Sequence, residues 1–555
     1  MQKSCTQCSA SFEITKDDLK FYEDVSPIFN GKKEVIPPPT LCPDCRLQRR
    51  LAFRNERKLY HRKCDKTGRQ IISIYAPDKQ LTIFAPDEWW SDAWDPLDYG
   101  RLFDFNKPFF EQFAALLKDV PRLALNCDQC ENCMYDHNTT FSKNCYLCFS
   151  AFSCEESEFA YMVTKCNNIM DALNVTNSEY CYECINVRGC YGGKHLQNCI
   201  DCTDCILCFD CIGCTRCIGC TNLRNADLHL FNKRVTEEEY LRYKEAMGSH
   251  RFSMEVQNHF KDVKKAAPQR SAFMVASENC TGDHILNSNN VTQSYEVENC
   301  QDIAYCNHVN NFKDSQDVYG ALMGGELQYE NSAAGGCTQV MAAYLSWHNN
   351  NSYYLNYCHH SSNLFGCIGL RRKKYCILNK EYSKEEYEEL VPKIIEHMRT
   401  TGEWGQFFPI AISPYGYNET IAQEFFPLTK ETVQERSWPW HEDGETEDRY
   451  LGPIYDIPDN IKDVSEEMTK HILRCEVTGK PYKIIPQELK FYRAMGIPLP
   501  RKSPDQRHME RMALRNPRKL WMRTCAKCGK QMETTYAPER PEIIYCEECY
   551  LKEVY

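Results

Sequence analysis

Eight cysteines in this chain stand as four C-x-x-C pairs: Cys5 and Cys8 with Cys42 and Cys45 near one end, Cys525 and Cys528 with Cys546 and Cys549 near the other. Four thiolates close a tetrahedral shell, and zinc is the expected ion because it favours all-sulfur sites and has no redox chemistry of its own. Two structural ions are therefore expected. A shell made wholly of protein ligands leaves no position for water or substrate, so no catalytic residue is assigned there. The second pair of each finger should open a helix. Pro43 and Asp44 suit the first turn ahead of Arg46 to Tyr60, and Glu547 and Glu548 precede Tyr550 to Val554.

A second set of thiols, Cys199, Cys202, Cys205, Cys208, Cys211, Cys214, Cys217 and Cys220, recurs at every third residue. That step suits neither the two-residue period of a strand nor the 3.6 of a helix, so the local geometry must alternate strand with bend. Buried free cysteines behave as small apolar side chains, and one reading packs these thiols inward between layers. The other makes them a possible additional metal site for zinc or another soft ion, extending to Cys127, Cys130, Cys133, Cys145 and Cys148. No proline follows them as in a ferredoxin, which disfavours an iron–sulfur cluster.

Arg46, Arg50, Arg54 and Lys58 recur every four residues, and Arg507, Arg511, Arg515 and Lys519 repeat the pattern. On a helix each set forms one cationic stripe. Such a stripe suits a nucleic-acid backbone, making RNA, DNA or a ribonucleoprotein the expected partner; alternatively it covers the acidic body of the protein. Charge is divided accordingly. The formal charge is -11, yet residues 42–70 carry +7 and residues 501–530 carry +8, leaving -26 elsewhere. Catalytic motifs are weaker. There is no phosphate loop, dinucleotide fingerprint or serine elbow, and only Asp283, His284, Asp302, His308, His348, His359 and His360 suggest a groove of the kind sugar-processing enzymes use.

The elements that must position these residues begin with a duplication. Residues 36–88 align without a gap to residues 497–549 with 22 identities in 53 positions. Cys525, Cys528, Cys546 and Cys549 fall opposite Cys64, Thr67, Ala85 and Glu88. In the preceding finger Cys5, Cys8, Cys42 and Cys45 fall opposite Cys475, Thr478, Ser503 and Gln506. Each end thus carries two fingers in tandem, one armed and one bare. Between them lie two proline-free blocks rich in Cys, Asn, Ser and Tyr, with phrases such as Glu278-Asn279-Cys280 and Glu298-Asn299-Cys300 returning after about twenty residues. A period near twenty with small inward residues predicts parallel β-helix-like coils. Each block ends on a capping box, Thr236 with Glu239 and Ser383 with Glu386, predicting a helix over the open end.

The expected fold is mainly β: two β-helix-like blocks with helical caps, flanked by tandem treble-clef or zinc-ribbon modules. The boundaries are a finger with basic helix at 1–62, a degenerate finger with connecting helices at 63–120, block one with its cap at 121–250 and a linker helix at 251–270. Block two with its cap follows at 271–401, then a proline- and aromatic-rich linker at 402–470, a degenerate finger with basic helix at 471–523 and a finger at 524–555. Thirty-five cysteines, no apolar leader after Met1 and no apolar run of membrane length together predict a cytoplasmic protein with reduced or metal-bound thiols.

The phrases Leu41-Cys42-Pro43-Asp44-Cys45-Arg46-Leu47-Gln48-Arg49-Arg50, Trp89-Trp90-Ser91-Asp92, Ser413-Pro414-Tyr415-Gly416-Tyr417-Asn418-Glu419-Thr420 and Asp505-Gln506-Arg507-His508 give the chain a family resemblance. It resembles large cysteine-rich zinc-ribbon proteins of the Patescibacteria, the candidate phyla radiation, over nearly its whole length. The resemblance implies a zinc-ribbon protein and little about activity. It also implies that relatives keep thiols where this chain has Thr67, Ala85 and Glu88. Some relatives carry a CaiB/BaiF (CoA-transferase) label, a chemistry with no support in these residues. The combined expectation is a zinc-binding, non-enzymatic scaffold, with a thiolate metal store or sensor and a carbohydrate-active enzyme as alternatives.

Overall fold

A computed structural model describes residues 1–442 and 452–555. Its organising feature is parallel pairing between residues twelve apart. Phe149 pairs Tyr161, Tyr161 pairs Leu173 and Leu173 pairs Ile185, and the column continues through Gln197, Phe209 and Thr221. The second block repeats the step, Thr338 pairing Asn350, then Ser362, then Lys374. The layer is therefore twelve residues, not about twenty. The longer spacing joined thiols from different columns: Cys280 pairs Val291, whereas the N–H of Cys300 bonds Ser288 Oγ.

Each layer has four sides of three residues. From Asn138 to Phe231 every third residue has a positive φ, without a break. Asn, Asp and Gly tolerate this conformation best, but Phe141, Tyr180 and Leu207 adopt it as well. The interlayer ladder enforces it. The N–H of Gln197 bonds Cys208 O above it (2.9 Å) while that of Asn198 bonds Ile185 O below (3.0 Å), so local strain is held by hydrogen bonds on both sides.

One residue per side points inward, and these are small: Val163, Val175 and Val187 stack in one column before Cys199 and Cys211. Thiols suit this interior because they pack like apolar groups and still serve the backbone at each bend. Cys199 Sγ donates to the carbonyls of Gln197 and Cys208 at 3.4 Å each. Inner groups also accept: the N–H of Cys190 bonds Ser178 Oγ (3.1 Å), that of Cys202 bonds Cys190 Sγ (3.2 Å), and that of Asn232 bonds Cys220 Sγ (3.3 Å).

Both stacks end as the capping boxes predicted. Helices Glu237–Ala246 and Lys384–Thr400 each start on the expected Ser or Thr with reciprocal bonds to the N3 glutamate. Helix His250–Ala266 joins the stacks. Of the stretch expected as a linker, residues 403–422 form a buried strap, and residues 443–451 lie outside the described ones. Trp404, Phe407 and Phe408 are in the core, and Ile421 N–H bonds Arg54 O at 2.9 Å.

The duplication is visible in the fingers. Hairpins Tyr60–Lys63 with Gln70–Ser73 and Trp521–Thr524 with Gln531–Thr534 share one register. All four knuckles close with an N–H bond back to the first cysteine, from Ser9, Gly68, Gly479 and Gly529, each at positive φ. Armed and bare copies therefore have the same local fold. Among the described residues, no helix is long and apolar enough to cross a membrane.

Candidate metal centres

Each armed finger builds its site from a knuckle and a helix start. Cys42 is the N-cap of helix Pro43–Leu51, and Cys546 is the N-cap of helix Glu547–Val554, as the spacing predicted. The four sulfurs of Cys5, Cys8, Cys42 and Cys45 lie within 4.8 Å of one another, as do those of Cys525, Cys528, Cys546 and Cys549. The Cys8–Cys42 and Cys528–Cys546 sulfur separations are both 3.7 Å. A zinc–sulfur bond of about 2.3 Å gives a tetrahedron with edges of about 3.8 Å. Both tetrads can hold a metal ion, and the donor set is consistent with zinc.

The electrostatics favour one thiolate in each tetrad, while Cys8, Cys45, Cys546 and Cys549 are raised. Cys42 is held down to about 5 by its hydrogen bond from the Cys45 thiol, against burial that would raise it, with the Cys45 N–H assisting. Burial works against ionisation at Cys525 too, yet the N–H groups of Cys546, Cys528 and Lys527 bring it down to about 6.

The bare fingers keep the same bonds without the ligands. Cys64 Sγ accepts from Ala85 N–H at 3.3 Å, the counterpart of the Cys546 N–H to Cys525 Sγ bond at 3.3 Å. Lys66 pairs with Glu88 at 3.0 Å, where the C-terminal copy has Lys527 and the ligand Cys549. Helices Pro86–Trp90 and Pro504–Ala513 start at Ala85 and Ser503, the positions of the missing thiols.

The ladder lies inside the first stack. Cys199, Cys202, Cys205 and Cys208 form one layer and Cys211, Cys214, Cys217 and Cys220 the next, all 0 % exposed. Among the described residues, three groups of ligand atoms converge: the two tetrads and the set Cys133, Asp136 and Cys145. The ladder thiols are in none of them and point instead to backbone carbonyls. The packed reading of the ladder accounts for them.

The basic stripes need correction. The helices end at Leu51 and Ala513, so Arg54, Lys58, Arg515 and Lys519 lie beyond them. The chain turns where Asn55 Oδ1 accepts from Lys58 N–H and Asn55 Nδ2 donates to Ile74 O. The arginines are buried against carboxylates. Arg46 Nε meets Asp317 at 2.8 Å, and Arg50 lies between Asp317 (3.0 Å) and Glu330 (2.8 Å). Arg507 Nε meets Asp171 at 2.8 Å, and Arg511 lies between Asp171 and Glu183 at 3.0 Å each. Arg54 pairs with Glu56 and Arg515 with Glu296. Guanidinium groups buried this way cannot meet phosphates; of the eight, Lys58 and Lys519 are exposed. Of the two readings weighed, the stripe covers the acidic body.

The docking is crossed. The N-terminal helix sits on the second stack and the C-terminal helix on the first. Sequence reading missed the partner acids Asp171, Glu183, Asp317 and Glu330. All four occupy positive-φ positions, and within each pair they are one layer apart, twelve residues for Asp171 and Glu183 and thirteen for Asp317 and Glu330, a signal legible only once the layers are known.

The imidazoles of the suspected groove do gather. His308, His348, His359 and His360 line a cavity of ≈ 530 Å³ with Trp90 and Trp347 between the stacks. Glycoside hydrolysis in its common form needs two carboxyl groups flanking one bond, and Asp128 is the one carboxylate among the described lining residues. Asp283 does not join them. It is buried, accepting from Phe273 N–H and from Thr535 Oγ1.

Comparison with protein-family models, curated proteins and solved structures finds no match for this chain.

Proposed function

We propose that this chain is a zinc-dependent scaffold: two parallel β-helices, each seated by a finger module from the opposite end, with one zinc fixing each armed finger. The observation that carries this reading is the 3.7 Å sulfur separation repeated in two tetrads 520 residues apart in sequence, close to the edge of a zinc–thiolate tetrahedron. The sites are closed, so the ions serve the fold and the surface it presents, not a reaction. A nucleic-acid partner would have to meet Lys58 and Lys519, because the arginines of both stripes are spent on internal carboxylates.

The test is ion counting by native mass spectrometry on protein expressed with zinc. Cys8→Ser and Cys528→Ser should each remove one tightly held ion, and the double variant both. Variants that keep the parent count would refute the tetrads as metal sites. Retention on RNA at low salt, lost on Lys58→Glu with Lys519→Glu, would restore the nucleic-acid reading.

A further inference from the structure

We propose a third metal site, formed by Cys133, Asp136 and Cys145, which takes one soft divalent cation at the open end of the first stack. Along the first stack the inward positions from Cys127 to Cys220 carry thiols, hydroxyls or apolar groups, apart from Asp136, the one carboxylate among them. Elsewhere a hydroxyl or thiol is enough to accept the N–H from the layer above, as Ser142 Oγ does for Cys154 and Ser178 Oγ for Cys190. Asp136 performs that task with Oδ1, which accepts from Cys148 N–H at 2.9 Å. Its Oδ2 is then surplus: it is buried, takes no hydrogen bond from a nitrogen or oxygen donor, and meets only the Cys133 thiol.

Such a carboxylate oxygen in a fully buried side chain is costly unless a proton or a cation meets it. Among the described residues no Lys or Arg pairs with Asp136. What faces it instead is sulfur. The Sγ atoms of Cys133, one side earlier in the same layer, and of Cys145, directly above Cys133, lie with the carboxylate within 4.8 Å of one another. All three residues are buried. Cys130 adjoins Cys133 thiol to thiol and is half-exposed, but it stands outside the converging set. Two thiolates with one carboxylate select a thiophilic, geometrically undemanding ion such as zinc, or cadmium as its probe.

Position supplies a route and a purpose. The far end of this stack is covered by helix Glu237–Ala246, whose Tyr240 OH bonds Asp204 O at 2.7 Å. Among the described residues no helix covers the near end in this way, Met134 being 71 % exposed and Glu131 and Asn132 exposed beside it. An ion joining Cys133 and Asp136 of the first layer to Cys145 of the second would pin the uncovered layer as a helix pins the other.

The experiment uses the full chain loaded with ¹¹³Cd. Wild type should bind three ions and show, besides two all-sulfur resonances, a third shifted upfield by its oxygen ligand. Asp136→Asn, close to isosteric, and Cys133→Ser should each bind two, with both all-sulfur resonances unmoved. A wild-type count of two overturns the proposal whatever the variants do. So does a third ion that survives Asp136→Asn and Cys133→Ser. Missing all-sulfur resonances in wild type would instead refute the finger tetrads, leaving the third resonance to be judged by itself.

Discussion

Asp171 and Asp317 each hold two arginines of a docked helix, and each is completely buried. Removing one partner of a buried ion pair leaves an uncompensated charge, which costs about 3–5 kcal/mol. Asp317→Asn should therefore destabilise the seat of the N-terminal helix and Asp171→Asn that of the C-terminal helix. Urea midpoints and hydrogen exchange over Pro43–Leu51 and Pro504–Ala513 would show whether each loss is confined to its own helix. The ladder makes the contrary prediction. Cys205→Ala with Cys217→Ala should leave the metal count unchanged and cost about 1 kcal/mol per thiol, the scale of a small cavity. At this scale the sequence was half legible. Tetrad spacing located both metal sites and the capping boxes located two helix starts, because those rules are local. The four-residue step of Arg46, Arg50 and Arg54 revealed a cationic set but not its direction, since Asp317 lies 271 residues from Arg46.

The three-residue side explains both the cysteine ladder and its neighbours, and it is where the period near twenty failed. Thiols mark only some inner positions, so counting from thiol to thiol skips columns; Ser, Val, Ala and Cys together carry the true step. Positive-φ positions should therefore sort substitutions sharply. Asp201, exposed at φ 52, should tolerate Gly, whereas Val there should cost about 1–2 kcal/mol, measurable as a shift in thermal midpoint. The two docked helices should also respond differently to pH. Around Arg507 and Arg511 burial pushes Glu158 up to about 8 and Glu183 and Glu488 up to about 7. Around Arg46, Arg49 and Arg50 the shifts are mixed: burial pushes Asp317 up, while Glu330 is held below the usual carboxylate range because the guanidinium groups outweigh burial, so fewer carboxyls are raised here. A carboxyl raised in the folded state favours folding while protonated, so its contribution is full near pH 4.5 and is lost as pH rises through 7 to 8. The C-terminal helix should accordingly loosen before the N-terminal one between pH 6 and 9, read as earlier proteolytic cleavage around Pro504–Ala513. The opposite order would contradict the assignment of these charges.

Across the whole molecule, each second finger extends the strand that leads into one stack, Ile83–Phe84 beside Arg122–Leu123 and Ile544–Tyr545 beside Gln269–Arg270, while each first finger sits on the other stack. Stripping the ions should release the armed modules first and leave the stacks, whose ladders need no metal. A chelator should then abolish protection over residues 1–51 and 521–555 while residues 149–230 stay protected in hydrogen exchange. The crossed seating has a further consequence, for the order of events during synthesis. The N-terminal finger emerges first, yet Asp317 and Glu330, which neutralise Arg46 and Arg50, are polymerised some 270 residues later. The first stack in turn waits through 336 residues for Arg507 to meet Asp171. Such distant closures are slow, because chain entropy is lost before the contacts repay it. The second stack's acidic face can take its cationic cover as soon as Glu330 has emerged, whereas Asp171 in the first stack stays uncovered until Arg507 and Arg511 are made, so the stack synthesised first is the one completed last.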